Sequence, residues 1–492
     1  MNIRIQSAGM RSGVMAVMVA LLAGCGNPGG NIVKEINIGI HNDNQLKIRM
    51  DITTTVPADV YAEYWSDSVA PGGGDSAGKA GNAGGGDSAG RVMTSTVSKN
   101  SESHRLVLIN ILPATNYSYH IITEHGGVRN VSKTYSFRSH DLPIWLKEQF
   151  KYSCDSLQLL PPVFKDGLML MNKRETPGVA YIVDYKGRLR WYHMVDGTGF
   201  KVTHFTKDKT ILSILGKNDE PTSYGSEILE INLYGDTLLH LKKGQGDFRQ
   251  TIHHEILKND KGQVLTLFVD QRIMDLRAVG GGQADTVNGD GILILDRQGK
   301  KVWQWSVFDV VDPLKDPKLL KTRRDWMHAN SLNFDKDGNF IVSFYNNGQI
   351  WKVDAQTGKV LWKFGKGGTF VLPAECNFTQ AHAVHINPAG SLMFYDNGVE
   401  NRQSEVFALK LDEGKMTARM DLHIKLPREV YNDRMGSAYM INDTTVLCCC
   451  SKRHITLLTN LKGVLLWTLD TAIPPYRAEF LSREQVGPYL QP

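Results

Sequence analysis

Very little in the 492 residues points to nucleic acid, a membrane span or a zinc site. There is no long Lys/Arg run, and the formal charge of +5 is spread thinly along the chain, so nucleic acid is not expected as a partner. Cysteines number six. None sits in CxxC or His/Cys ligand spacing, so the pattern offers no zinc site and no metal is expected. Setting Cys25 aside leaves Cys154, Cys376 and the run Cys448-Cys449-Cys450, an odd number. A disulfide stays open, with its pairing unreadable from sequence. Cys376 lies six residues before His382, where a bridge could brace a site. Cys448 and Cys450 share one face of a strand, and buried thiols are the plain explanation there. Amphipathic helical patterning is almost absent too, which leaves an all-β chain.

What is present begins at the N-terminus. Arg4 and Arg11 precede the apolar run Val14–Leu22, followed by Ala23-Gly24-Cys25. A basic start, a short apolar core and small residues before a cut make a secretory signal over residues 1–24. The run is too short to cross a bilayer as a helix. Leu22-Ala23-Gly24-Cys25 resembles the bacterial lipobox, which implies lipidation of Cys25, a membrane anchor and an envelope lipoprotein facing the periplasm. Which membrane holds the anchor is open, and a homodimer is an open alternative to a monomer.

The length allows two domains, and an apolar fraction of 41% suffices for a sizeable core. Residues 25–140 alternate as short strands, among them Leu46–Ile52, Val60–Trp65 and Arg105–Leu112. Leu112–Tyr119 resembles the tyrosine-corner strand of a fibronectin type III or immunoglobulin-like sandwich. The Gly/Ser/Ala tract at 71–90 cannot bury enough apolar surface to order itself and reads as a flexible loop.

Over residues 141–492 a looser repeat takes over. An apolar strand, a polar turn with Gly and a second apolar strand recur at Ile182–Trp191, Ile231–Leu239, Ile294–Trp303, Val353–Trp362, Leu409–Thr417 and Leu458–Trp467. About six such units at roughly fifty-residue spacing predict a six-bladed β-propeller. Three units also carry a histidine ahead of a turn glycine. His254 and His382 stand eight residues before Gly262 and Gly390, and His328 stands ten before Gly338. If these strands are the innermost of their blades, the three imidazoles converge at one mouth of the channel. His385, three residues beyond His382, points to the opposite side of a regular strand. His204 opens a weaker unit and reads as structural, although it could lie near the same mouth.

His253-His254-Glu255, Asp325-Trp326-Met327-His328-Ala329-Asn330-Ser331, Gln380-Ala381-His382 and Tyr395-Asp396-Asn397-Gly398 resemble the bacterial arylsulfate sulfotransferases. The resemblance covers most of the chain and implies a small sandwich ahead of a six-bladed propeller. It further implies an enzyme that moves a sulfuryl group from a phenolic sulfate ester to a phenolic acceptor, with no nucleotide sulfate donor and no cofactor. By motif, His382 matches the histidine that is transiently sulfated. His254 (or its neighbour His253) and His328 match the two that hold sulfate oxygens, and Asn330 belongs to the same binding set. The chemistry of the side chains agrees. Neutral imidazole is a good nucleophile near neutral pH, and splitting the transfer into two displacements gives ping-pong kinetics.

One departure stands out. The family pattern has an arginine in the strand after the Asp-Trp-x-His motif, whereas Val342–Asn347 has Tyr345 there. Tyr345 can donate a hydrogen bond but brings no charge; Arg402 and Arg434 are candidate substitutes. The departure favours a second reading, a non-catalytic lipoprotein whose propeller binds a ligand or partner. A quinone-dependent propeller, suggested by Thr357-Gly358-Lys359-Val360-Leu361-Trp362, shows its docking repeat only once. A three-histidine metal site is a smaller alternative. Trp326 fits a phenol-stacking wall or a core position.

Overall fold

The computed structural model describes residues 16–21, 32–41, 43–66, 92–487, 489 and 490. Cys25, most of the N-terminal signal and the tract at 71–90 lie outside the described residues. Of the apolar run Val14–Leu22, Ala16–Leu21 forms a strand paired with Val33–His41. By packing, the chain divides into two units, with the boundary after Lys147 and with Leu189–Met194 grouped in the N-terminal unit.

The N-terminal unit is built on the long strand Asn44–Ser66. Its first half pairs with Val33–His41 and Ser98–Leu108; beyond Ala58 it pairs with Asn116–His125. Register shifts near Ala58 mark the change of partner. Ile48, Met50 and Ile52, then Val60, Ala62 and Tyr64, are buried at every second position, the period that a strand with one apolar face requires. The Tyr117 hydroxyl accepts from the Leu112 backbone N–H at 2.9 Å, which ties the strand back to the bend at Pro113-Ala114.

The second unit is a ring of six antiparallel sheets. The first strands of their four-stranded meanders are Gly199–Phe205, Ile252–Lys258, Ala329–Phe334, Ala381–Ile386 and Ser437–Asn442; in the sixth sheet this place is taken by the C-terminal strand Glu479–Leu481. The fold is thus the six-bladed β-propeller that the repeat spacing predicts. In all six blades the repeat marker is the turn between the last two strands of the meander. The ring closes with both ends of the unit. Glu479–Leu481 pairs with Leu168–Lys173, and Phe150–Ser153 adds an outer strand against Leu465–Thr471.

Neighbouring blades are pinned by tryptophans as well as by apolar packing. Trp305 Nε1 donates to the Gly358 carbonyl at 2.8 Å, and Trp467 Nε1 donates to the Tyr185 carbonyl at 2.8 Å. Each satisfies a buried indole while holding the outer turn of the next blade. The Thr357–Trp362 stretch, read as a cofactor-family docking repeat, here supplies the turn that receives Trp305. Trp326 is a core residue, buried against Phe308 with its indole N–H on Asp316 at 2.8 Å. Cys154, Cys376, Cys448, Cys449 and Cys450 are free thiols, so no bridge braces His382.

Candidate active site

The inner strands that carry His254 and His382, and the one that His328 leads into, are all irregular near the start. The register shifts between His253 and Ile256, between Ala329 and Ser331, and between His382 and His385. His254, His328 and Ala383 have φ of 58°, 57° and 50°, left-handed values that few non-glycine residues adopt. Such bulges insert an unpaired residue and re-aim the side chains beside it. The result is one cavity of about 630 Å³ lined by His254, His328 and His382 together with Tyr224, Asp325 and Tyr345.

The rings are close. His254 and His328 lie 4.9 Å apart between centroids, and Tyr345 stands 5.3 Å from His328 and 5.5 Å from His382. Tyr224 belongs to the short inner strand Tyr224–Gly225 and stacks on His253 at 5.0 Å. His253 sits behind the cavity, its Nδ1 2.9 Å from His254 Nδ1 and its Nε2 3.4 Å from Asp290.

Their surroundings drive the imidazoles to different protonation states. Burial, with added repulsion from His328 and Arg477, lowers His382 to about 3. Burial and His328 lower His253 to about 4 and hold His254 well below the usual histidine value. His328 goes the other way. Burial opposes its charge, but the Asp325 carboxylate, 2.6 Å from Nδ1, and the nearby Asp290 outweigh that and raise it. Asp290 is itself pushed up to about 7 by burial and by Asp325. The cavity therefore sets His382 and His254, biased toward the neutral form, beside a His328 biased toward the cation. His382 Nδ1 is buried without a hydrogen-bond partner. A neutral nucleophile beside an acid held by a carboxylate is an arrangement suited to group transfer.

The other sequence candidates fall in different places. Tyr345 lines the cavity, and its hydroxyl donates to the Asp433 carbonyl at 3.1 Å. Asn330 is fully buried and braces backbone, donating to the Ala381 carbonyl at 2.9 Å and accepting from Ser343. Arg434 reaches the cavity but pairs with Asp433 at 3.0 Å. Arg402 is not in the lining; it lies over Tyr431 in a separate surface cleft. His204 and His385 line a second cavity of about 540 Å³, further along the same inner strands. There His204 bridges Glu255 at 2.5 Å and Glu479 at 3.2 Å, and Arg477 pairs with Glu255 at 2.6 Å. Among the described residues, no three His, Cys, Asp or Glu side chains converge closely enough to hold a metal ion. The sequence reading gave no role to Asp325, although it stands three residues before His328 in the quoted motif, nor to Asp290 and Tyr224. No local signal marks those two, because strand pairing alone brings them in.

A propeller whose inner strands gather imidazoles and a carboxylate at one end of the ring has the layout of a group-transfer enzyme. A family model described as Arylsulfotransferase (ASST) matches residues 157–456, and the chain belongs to that family of aryl sulfotransferases. No curated protein matches. Among solved structures, the chain is similar to a protein of unknown function from Bacteroides caccae, with 11% identity, 64% of this chain and 99% of that one covered, and a TM-score of 0.41. It is also similar to a catalytically inactive virginiamycin B lyase from Staphylococcus aureus, with 10% identity, coverage of 65% and 99%, and a TM-score of 0.32. A third is the acylaminoacyl peptidase of Pyrococcus horikoshii, with 9% identity, coverage of 61% and 43%, and a TM-score of 0.31.

Proposed function

We propose that the protein moves a sulfuryl group from a phenolic sulfate ester to a phenolic acceptor through a sulfohistidine on His382, with no nucleotide sulfate donor. The observation that carries this reading is the meeting in one cavity of His382, its Nδ1 buried without a partner, and His328, held by Asp325 at 2.6 Å, which raises it. In the first displacement a nitrogen of His382 attacks sulfur, the sulfur–oxygen bond to the aryl group breaks, and His328 gives its proton to the departing phenolate. In the second, the acceptor hydroxyl oxygen attacks the same sulfur and the nitrogen–sulfur bond breaks. The hydroxyl proton passes to His328, so the starting state returns. His254 donates to a sulfuryl oxygen, where charge develops and fixed donors act most strongly. Tyr345, between His328 and His382, is a wall for the aryl ring.

The test uses the full chain purified in detergent, incubated with 4-nitrophenyl sulfate with and without phenol. A burst of nitrophenol, one added sulfuryl group in the intact mass and steady turnover only with phenol support the mechanism. Absence of release and of adduct across several aryl sulfates sinks it in favour of a binding propeller. The proposal includes location, as an envelope lipoprotein anchored through Cys25 and facing the periplasm. Metabolic labelling with a fatty-acid analogue, lost in Cys25→Ala, is its test.

A further inference from the structure

Arg174 follows the strand Leu168–Lys173 and lines the same cavity as His254, His328 and His382. It is 5% exposed, yet none of the ion pairs among the described residues includes it. Its hydrogen bond goes to a thioether, Nη1 donating to Met435 Sδ at 2.8 Å, and its Nε is buried with no partner. Thioether sulfur is a weak acceptor, and a guanidinium stays charged in a protein, with five donors to satisfy. The contrast with its neighbours is sharp. Arg434 has Asp433, and Arg477 has Glu255. Burial weakens the hold of Arg174 on its proton, and the largest charge effect favouring the cation comes from its own neighbour Glu175. Buried charge without a counterion is costly and is tolerated where a ligand brings the opposite charge. The planar fork matches the oxygens of a sulfate ester two at a time.

We propose that Arg174 is the fixed cation of this cavity, binding the oxygens of a sulfate group presented to the three histidines. The proposal rests on the sulfotransferase reading for the identity of the anion and adds to it a residue from a blade that carries none of the three histidines.

The experiment measures binding of sodium sulfate and of an unreactive aryl sulfonate by calorimetry, with thermal midpoints at matched ionic strength in chloride. The full-length wild type, Arg174→Gln, Arg174→Lys and His382→Asn are compared, and nitrophenol release from 4-nitrophenyl sulfate is followed on the wild type and Arg174→Gln. Wild type and His382→Asn are expected to bind both anions, with affinity about 10- to 100-fold weaker in Arg174→Gln and intermediate in Arg174→Lys, as expected for loss of a charge-assisted pair of hydrogen bonds. Removing an uncompensated charge should leave the anion-free midpoint of Arg174→Gln unchanged or higher, an outcome that a merely structural arginine would not give. Equal affinity in Arg174→Gln, or a lower anion-free midpoint with the sulfate shift intact, overturns the assignment. So does failure of the wild type to bind either anion. Sulfate binding that depends on Arg174 in a wild type with no nitrophenol release sustains the anion site and sinks the transferase. Turnover with an unchanged KM in Arg174→Gln does the reverse.

Discussion

His382 and His328 face one cavity with their proton affinities shifted in opposite directions, and the difference is traceable chiefly to one carboxylate. Desolvation penalises charge on both rings; only His328 has Asp325 at 2.6 Å to offset it. Replacing His382 with Asn should abolish the burst and the mass adduct and lower turnover by about a thousandfold or more, as loss of a nucleophile does. Asp325→Asn tests the acid. A raised group is protonated below its own value and loses its proton above it, so activity of the wild type should fall at high pH as His328 deprotonates. Without Asp325 that alkaline limb should move to lower pH, which a kcat/KM profile would show; an unmoved limb would remove His328 from the role. The histidines were legible because each stands at a similar distance before a turn glycine. Arg402 was misplaced because closeness to the Asp396-Asn397-Gly398 turn says nothing of direction; with φ of 52° the chain turns it onto Tyr431. Asn330 was assigned to substrate because it follows His328, yet its amide is consumed by the Ala381 carbonyl.

At the level of strands, the blades were readable from their outer turns, while the inner strands were readable only in outline. A strand repeats every two residues, so one inserted residue reverses every later side chain. The shifts after Ala329 and His382 are such insertions, the shift after His253 adds two residues, and nothing in His253–Ile256 or His382–His385 announces them. His385 still leaves the His382 cavity, but its companions there, His204, Glu255 and Arg477, come from three other strands or turns. The outer turns allow a direct test. Gly358 has φ of 71°, and a Cβ there would lie 2.8 Å from Trp305 Cδ1. Gly358→Ala therefore meets both backbone strain and the docked indole, and should destabilise the protein by about 1–3 kcal/mol in urea unfolding. Gly262→Ala shares a positive φ of 73° but has open space around its Cβ, so it should cost less. Equal losses would mean that the indole contact adds nothing.

For the molecule as a whole, the two cavities along the inner strands set how stability depends on pH. One holds His382 and His254, which burial lowers, beside His328, which Asp325 raises; the other holds His204, which burial opposes but Glu255 and Glu479 raise to about 9. The signs differ. His382 and His253, lowered to about 3 and about 4 from 6.5, bind protons more readily unfolded, so stability should fall as pH drops below about 6.5. His204 is raised above its unfolded value of 6.5, so its contribution is complete below that pH and is lost as pH rises through about 9. Stability should therefore peak near neutrality, and the thermal midpoint should decline on both sides. His204→Gln isolates the share of His204 in the alkaline limb. Relative to wild type its deficit should be greatest at pH 6 and shrink steadily toward pH 9.5, because the wild type loses there what the variant already lacks. A deficit that stays constant with pH would mean that His204 acts by packing alone, and that the charge network of the second cavity contributes nothing that depends on its proton.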